Sequence, residues 1–225
     1  MSYHMNEIQK ATQQAIVDGE KKRKRKFEES IDVIINLRNV NLKDPAKRFN
    51  NELELPNPVN PDPKICFFVD GDQLVEAAKL NADAMNKDKM EEMSKSDKAT
   101  QRKFVKKYDF FIANSEMMKN VAKNFGKLFG PRGKMPRPQP QGYGVIGPGD
   151  SIAPSIERYK KIVRVKLVKD PVIQFKVGVK GMDTKKVAEN VKMGIDFIEH
   201  KMEKGRAQIK SILIKTTMGP VVKIA

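Results

Sequence analysis

The stretch Leu55–Leu80 reads "LPNPVNPDPKICFFVDGDQLVEAAKL", and its two parts have different compositions. Residues 55–64 place four prolines among asparagine and aspartate, a composition that continues neither a helix nor a strand ladder. The second part predicts a buried strand, a turn at Asp70–Gly71 and a helix over Gln73–Leu80. The stretch therefore predicts a hinge or linker, followed by the first strand and helix of an α/β domain.

Strand and helix continue to alternate downstream of this stretch. We expect a helix from Asp97, a strand at Asp109–Ala113 and a second helix capped by Asn114 or Ser115. The glycine- and proline-rich segment 130–151, "GPRGKMPRPQPQGYGVIGPGDS", predicts an extended loop. The middle of the chain is therefore expected to form α/β layers around a mainly parallel sheet.

The two ends of the chain have a different pattern. Alternating apolar and basic residues in "KIVRVKLV" and "VIQFKVGV" predict two antiparallel strands with one wet, positive face. Other predicted elements are a helix from Asn6 to Gly19, a strand at Ser30–Leu37, a helix at Asp183–Lys204 and a strand at Ile209–Thr216. Together these elements predict one discontinuous α+β domain, a split β-α-β sheet into which the middle of the chain is inserted.

The charge of the chain indicates a polyanionic partner. It carries 44 Lys and Arg against 28 Asp and Glu, a formal charge of +16, which favours nucleic acid or an acidic membrane. The net charge is +1 over residues 1–63, +6 over 64–160 and +9 over 161–225. No apolar stretch is long enough to span a bilayer, and the first residues lack a signal-peptide pattern, so we expect neither secretion nor membrane insertion.

The residues that usually carry catalysis are few. Cys66 is the only cysteine and lies in an apolar run, where it is expected to be a small buried hydrophobe. His4 and His200 lie in a terminal segment and on a charged helix, and solvated surface is the favoured interpretation of both. We therefore expect a binding protein with no metal and no cofactor, rather than an enzyme.

Two other classes of protein remain open. A nucleotide-binding enzyme is suggested by "FFVDGDQLVEAA", a strand, glycine turn and helix at the place where α/β folds hold phosphates, but no glycine-rich phosphate motif is present. Asp70 and Asp72 there either bind a metal or cap the following helix. A peripheral membrane protein would need a lysine-rich amphipathic helix, whereas the predicted helix at 183–204 mixes acids with bases.

Three separated motifs resemble one family. These motifs resemble those of the large-subunit stalk proteins of the ribosome, called L-one in bacteria and L-ten-a in eukaryotes. In chain order, which is also the order in that family, they are "KRKFEESIDVIINL", "KKYDFFIANSEMMKNVAKNFGKLFGPRGKMPRP" and "IKSILIKTTMGPVVKI". The resemblance runs from about residue 22 to residue 224. Departures at "RFNNELELP" and "PQPQGYGVIGPG" look archaeal or eukaryote-like.

The resemblance implies two domains and a ribosomal function. Residues 1–63 and 161–225 would form an RNA-binding domain, and residues 64–160 an inserted Rossmann-like domain. Such a protein binds the ribosomal RNA stalk near the exit site, assists release of deacylated tRNA and, in several members, represses translation of its own mRNA. It would be cytoplasmic and ribosome-bound, and a monomer when free of the ribosome.

The segment "KTTMGP", Lys215–Pro220, combines groups suited to RNA. A threonine hydroxyl can bond a 2′-hydroxyl or phosphate, a glycine lets backbone approach closely, and a methionine offers an apolar contact to a base or sugar. Considered alone, the segment is also a plain strand end and turn. The resemblance carries over Ser211, Thr217, Met218 and Gly219 as RNA contacts.

The segment before the first strand offers further candidates. The basic run Lys21–Lys26 is open to phosphate binding, nuclear import or plain solubility. Phe27 follows it, and the residues alone favour a core position, whereas the resemblance carries Phe27 over as an RNA contact with Lys26 as phosphate partner. Lys176, on an alternating strand, is a weaker candidate that is equally well explained as part of a solvated face.

Overall fold

The computed structural model describes residues 5–22 and 26–224, and contacts divide the chain into two compact units. Unit 1 contains the residues up to Pro61 and those from Lys161 onward, and unit 2 is Asp62–Lys160. The helices are α1 Met5–Lys22, α2 Asp72–Lys79, α3 Lys87–Lys95, α4 Lys98–Lys107, α5 Met118–Phe129, α6 Ala153–Tyr159 and α7 Thr184–Lys201. The strands are β1 Ser30–Leu37, β2 Phe49–Glu54, β3 Ile65–Phe68, β4 Asp83–Met85, β5 Phe110–Asn114, β6 Val145–Ile146, β7 Ile162–Leu167, β8 Val172–Val179, β9 Ile209–Thr216 and β10 Val222–Lys223.

Unit 1 is built on an antiparallel sheet with the strand order β10-β9-β1-β8. Every second residue of β1, including Ile31, Val33 and Ile35, is buried, because β-strand side chains alternate between the two faces. The apolar side chains of α1 and α7 join these residues in one core cluster. The opposite face of the sheet, which carries Asp32 and Lys215, is called here the open face.

One predicted strand pairing is wrong. The alternating runs at 161–168 and 172–179 were expected to pair with each other, but β7 pairs with β2 and β8 pairs with β1. The reason is burial: Leu53 of β2 and Val163 of β7 both enter the core of unit 1, so the β2-β7 ribbon covers apolar surface that a β7-β8 hairpin would leave open. The strand β2 was not expected, because its sequence "FNNELE" is mostly polar.

Gly194 allows α7 to approach the sheet closely. A Cβ atom built at Gly194 would lie 2.4 Å from Cζ of Phe175, a buried ring on β8. Four residues earlier on the same buried side, Asn190 donates to the carbonyl of Val177 at 2.8 Å and accepts from the N–H of Asn57 at 3.0 Å. The long helix is thus fixed to unit 1 by both close packing and buried hydrogen bonds.

Unit 2 has a parallel sheet with the order β4-β3-β5-β6, which confirms the predicted α/β layering. Helices α3, α4 and α5 contribute Met90, Val105 and Phe125 to an apolar cluster with the β3 and β5 side chains of one sheet face. An aromatic group fills the centre of this cluster; its members are Phe68, Phe104, Phe111, Phe125 and Phe129. Neither α3 nor β4 was expected from the sequence.

Two predictions concern the N-terminal segment. The first helix was expected to end at Gly19, but α1 continues to Lys22, and Gly19 instead faces Thr216. His4 and residues 23–25 of the basic run lie outside the described residues. No described helix combines the length and the apolar character that crossing a bilayer requires.

Candidate nucleic-acid interface

The start of β1 and the end of β9 lie side by side, because the two strands are antiparallel neighbours. The N–H of Ser30 donates to Oγ1 of Thr217 at 3.0 Å, and the N–H of Thr217 donates to the carbonyl of Ser30 at 3.0 Å. The two hydroxyl oxygens are also 3.0 Å apart. The hydroxyl of Thr217, predicted to contact RNA, is therefore already engaged within the protein, where it fixes the turn after β9.

Gly219 is explained by packing within unit 1. A Cβ atom at Gly219 would lie 2.2 Å from Oγ1 of Thr216, and one at Gly19 of α1 would lie 2.7 Å from the same oxygen. The Thr216 side chain is fully buried, and its oxygen has no hydrogen-bond partner within the described part of the chain. Two glycines thus make room for one buried hydroxyl, and the turn at 217–219 is pressed against α1.

Two large apolar side chains are exposed at this end of the sheet. Phe27 is 54% exposed and Met218 is 55% exposed. The residues alone favoured a core position for Phe27, and that prediction is wrong, because the core side of β1 is filled from Ile31 onward. Lys26, next to Phe27, is also exposed. The surface formed by residues 26–30 and 215–219 is called here the strand-end surface.

A buried carboxylate positions the backbone of Met218. Glu29 is only 2% exposed, and its Oε1 accepts a hydrogen bond from the N–H of Met218 at 3.1 Å. The carbonyl of Glu29 accepts from the N–H of Lys180. Glu29 was not among the residues predicted from the sequence, where nothing distinguishes it from the adjacent, exposed Glu28.

The open face carries a row of three charged side chains next to the strand-end surface. Asp32 on β1 is opposite Lys215 on β9 and opposite Lys176 on β8. Burial raises the pKa of Asp32, although the Ser30 hydroxyl and the two lysines act in the opposite direction. This arrangement leaves two half-buried lysines on either side of one poorly solvated carboxyl group.

Ser211 is the predicted site residue that lies apart. It shares the open face with Thr217, but six residues of strand separate them, about 20 Å at 3.3 Å per residue. Its Oγ accepts from Nδ2 of Asn36 at 2.9 Å. The structure thus brings Lys26, Phe27, Thr217, Met218 and Gly219 to one end of the sheet, with Lys176 in the next row and Ser211 farther along the face.

Replacing Asp32 gives a pH-dependent test of this row. A raised folded-state pKa means that the folded state holds the proton more tightly than the unfolded state, so stability falls as pH rises from the ordinary aspartate range through the folded pKa. Asp32→Asn does not ionise, and it should raise Tm relative to the original protein at pH 7 but not at pH 3. Thermal melts across pH measure this, with Asp196→Asn on the exposed side of α7 as control. An equal gain in Tm at pH 3 and pH 7 would contradict the raised pKa of Asp32.

The alternative of a nucleotide site in unit 2 is not supported by the geometry. At the carboxyl ends of the parallel strands, where α/β folds hold phosphates, the buried side chain of Gln73 links α2 to the end of β5 and to the loop after β6. Its Nε2 donates to the carbonyls of Gly147 and Asp150, both at 2.9 Å, and its Oε1 accepts from Asn114 at 2.9 Å. Within the described ranges, no group of three or more His, Cys, Asp or Glu residues is arranged to hold a metal ion.

The sequence profile of the ribosomal protein L1p/L10e family matches residues 19–220. The chain belongs to this family. The match includes both segments of the strand-end surface, residues 26–30 and 215–219.

Curated relatives of this L1-family chain include several archaeal proteins named large ribosomal subunit protein uL1. That of Methanothermobacter thermautotrophicus is 38% identical over 218 residues, which cover 94% of this chain and 99% of the relative. That of Thermococcus kodakarensis is 38% identical over 202 residues, 89% of each chain. That of Thermoplasma acidophilum is 37% identical over 223 residues, covering 98% of this chain and 97% of the relative.

The predicted membership in the ribosomal stalk-protein family is thus confirmed. The archaeal sources of these relatives agree with the archaeal or eukaryote-like departures in the sequence. Membership in the L1 family does not itself assign contacts, so the RNA-binding roles of the seven predicted site residues stay predictions.

Proposed function

We propose that this L1-family protein is a structural component of the large ribosomal subunit that binds the ribosomal RNA stalk near the exit site. In this proposal the chain ends, residues 1–63 and 161–225, form the RNA-binding domain, and residues 64–160 form the inserted domain. The protein would be a monomer before it joins the ribosome in the cytoplasm. The function is that of a binding protein and not of an enzyme.

One observation carries the proposal: two apolar side chains, Phe27 and Met218, are exposed on the strand-end surface of unit 1, which also contains Lys26 and Lys215. RNA-binding proteins stack exposed aromatic side chains on bases, and an exposed methionine offers an apolar contact to a base or sugar. Lys26 and Lys215 supply phosphate contacts beside them. The hydrogen bonds between Ser30 and Thr217 join the two segments of this surface.

The finer parts of the proposal rest on the family resemblance. Release of deacylated tRNA as the stalk moves needs a protein that stays on the stalk, and a pre-formed strand-end surface suits stable attachment. Repression of the protein's own mRNA would follow if that mRNA contains a fold similar to the stalk. Both RNAs would then compete for the same surface, so binding of one excludes the other.

Truncating Met218 tests the proposed surface. We expect Met218→Ala to weaken binding to a stalk-helix RNA fragment by about 1–3 kcal/mol, roughly 5- to 150-fold, as the loss of one readout contact does. Filter binding at fixed salt measures this, with an unrelated hairpin to report nonspecific affinity. Thermal stability should be unchanged, because the side chain is exposed.

Val75→Ala is the matched control for Met218→Ala. Val75 lies on α2 of unit 2 and is also 55% exposed, so the Val75→Ala variant removes a similar apolar surface elsewhere on the chain. It should bind the stalk fragment as the original protein does. If both variants lose the same affinity for the stalk fragment, or if Met218→Ala loses none, the strand-end surface is not the binding surface that the proposal requires.

A further inference from the structure

Unit 2 contains a long segment without a single acidic residue. From Met117 to Gly149 the chain has no Asp or Glu, while it has six Lys and Arg residues. Helix α4, Lys98–Lys107, is also free of acids and carries five basic residues. The neighbouring helix α3, "KDKMEEMSK", mixes both signs, so it does not share the absence of acids in α4 and in the segment that contains α5.

Helices α4 and α5 lie on the same face of the parallel sheet. Phe104 of α4 and Phe125 of α5 have ring centroids 5.9 Å apart, and both rings contact Phe111 or Phe68 of the sheet. Lys134, after α5, donates from Nζ to the carbonyls of Val105 and Tyr108 and so ties the following loop to the end of α4. Because both helices pack onto one face, their solvent sides point away from the sheet in the same general direction.

The exposed side of α5 is a stripe of lysines. Val121, Phe125 and Phe129 are buried, and Lys119, Lys123 and Lys127 occupy the opposite side at a spacing of four residues. Like charges at this spacing destabilise a helix by about 0.2–0.5 kcal/mol per pair. In the described part of the chain, none of the three lysines forms an ion pair with an acid. Repulsion between these lysines therefore lowers the stability of α5, and a bound anion would relieve that repulsion.

Helix α4 adds four exposed basic residues without a described acidic partner: Lys98, Arg102, Lys103 and Lys106. Lys107 is excluded, because it pairs with Asp83 at 3.2 Å. The nearest acids along the chain are Asp97, which caps α4, and Asp109 and Glu116, which lie between the two helices. The surface formed by Lys98, Arg102, Lys103, Lys106, Lys119, Lys123 and Lys127 is called here the basic helix face.

We propose that the basic helix face of unit 2 is a second RNA-binding surface, which holds the sugar-phosphate backbone of an RNA segment without reading its sequence. The chemistry fits, because lysines spaced along a helix neutralise consecutive phosphates and release their counterions, which gives binding that falls steeply with salt. No exposed aromatic side chain lies on α4 or α5, so base stacking is not expected there. This surface differs from the strand-end surface, which combines lysines with exposed apolar groups.

The test is a salt series with the triple variant Lys119→Gln, Lys123→Gln, Lys127→Gln in the full chain. Glutamine and lysine have similar helix propensities, so α5 should remain folded. Against an unrelated RNA duplex and against the stalk fragment alike, the slope of log affinity with log salt should fall by about 2–3, and affinity in dilute salt by roughly 10- to 100-fold. The preference for the stalk fragment should stay unchanged.

The control carries the same change of charge on α3. Lys87, Lys89 and Lys95 are exposed, and their triple glutamine variant should keep most of the original salt slope. Equal slopes in the two triple variants would overturn the proposal, because only net charge would then matter. Competition by polyglutamate as effective as RNA of equal charge would also overturn it, in favour of an acidic protein partner.

The experiments distinguish an error in the proposed function from an error in this inference. If the original protein shows no preference for the stalk fragment, the strand-end surface fails while the salt slopes still report on unit 2. If the preference is present and the α5 triple variant keeps the original slope, the basic helix face fails alone.

Discussion

Replacing Phe68 by alanine is expected to lower the free energy of unfolding of unit 2 by about 3–5 kcal/mol, the usual range for a fully buried phenylalanine. Phe68 is 0% exposed and its ring centroid lies 5.8 Å from those of both Phe111 and Phe125. Truncation leaves a cavity where strand β3 meets α5, and the rigid rings around it cannot collapse to fill it. Denaturant unfolding followed by a probe in unit 2 measures the loss.

Phe27→Ala is the matched control for Phe68→Ala. The same atoms are removed from a side chain that is 54% exposed, so the free energy of unfolding should change by less than about 0.5 kcal/mol. Its expected effect is on RNA binding instead. A large stability loss in Phe27→Ala, or a small one in Phe68→Ala, would contradict the division between core and surface described above.

Replacing Gly219 by alanine is expected to have the largest effect at the strand-end surface. The new Cβ atom would lie 2.2 Å from Oγ1 of Thr216 and 3.2 Å from Cα of Gly19, and the buried, β-branched Thr216 has little room to move. We expect a loss of about 1–3 kcal/mol in stability, as in other overpacked sites. The turn at 217–219 must also shift, so stalk-RNA affinity should fall with it. Thermal melts and filter binding on the same preparation measure both losses.

Gly126→Ala controls for the glycine-to-alanine change itself. Gly126 lies within α5, and a Cβ atom built there meets nothing within 4 Å. Alanine in a helix interior is favoured over glycine by about 0.5–1 kcal/mol, so this variant should be slightly more stable and should bind RNA normally. If Gly219→Ala has the same stability and RNA affinity as Gly126→Ala, the turn does not depend on close packing against α1.

The elements that the sequence predicts well are those whose pattern is local. Strand β1 has the predicted bounds, because the β-branched residues Ile31, Val33 and Ile35 recur at every second position and enter the core. Asp183 was predicted as the start of α7 and is its cap. Strands β2 and β4 and helix α3 were missed, because they are short or polar and become regular only through partners distant in the chain. The pairing of β7 was missed for the same reason, since alternation marks a strand and does not identify its neighbour.

The candidate site was predictable in position more than in geometry. The sequence and the family resemblance indicate Thr217, Met218 and Gly219, but the contacts that shape them cross 187 to 200 positions of the chain. No local pattern shows that Ser30 bonds Thr217 or that Gly219 is packed against Gly19. The burial of Glu29 is likewise known only from the structure, because a glutamate close to a basic run is normally predicted to be solvated.

Site-specific RNA recognition by unit 1 is the central claim, and a competition measurement across salt tests it most directly. The original protein is titrated against the stalk fragment and an unrelated hairpin of equal length, at salt concentrations from low to above physiological. Specific protein–nucleic-acid sites exceed nonspecific binding by about 10³-fold or more, and part of that preference does not depend on charge. We predict a stalk preference that persists as salt rises and that is reduced by Met218→Ala. A ratio close to unity at every salt concentration would contradict the claim and leave only a basic surface.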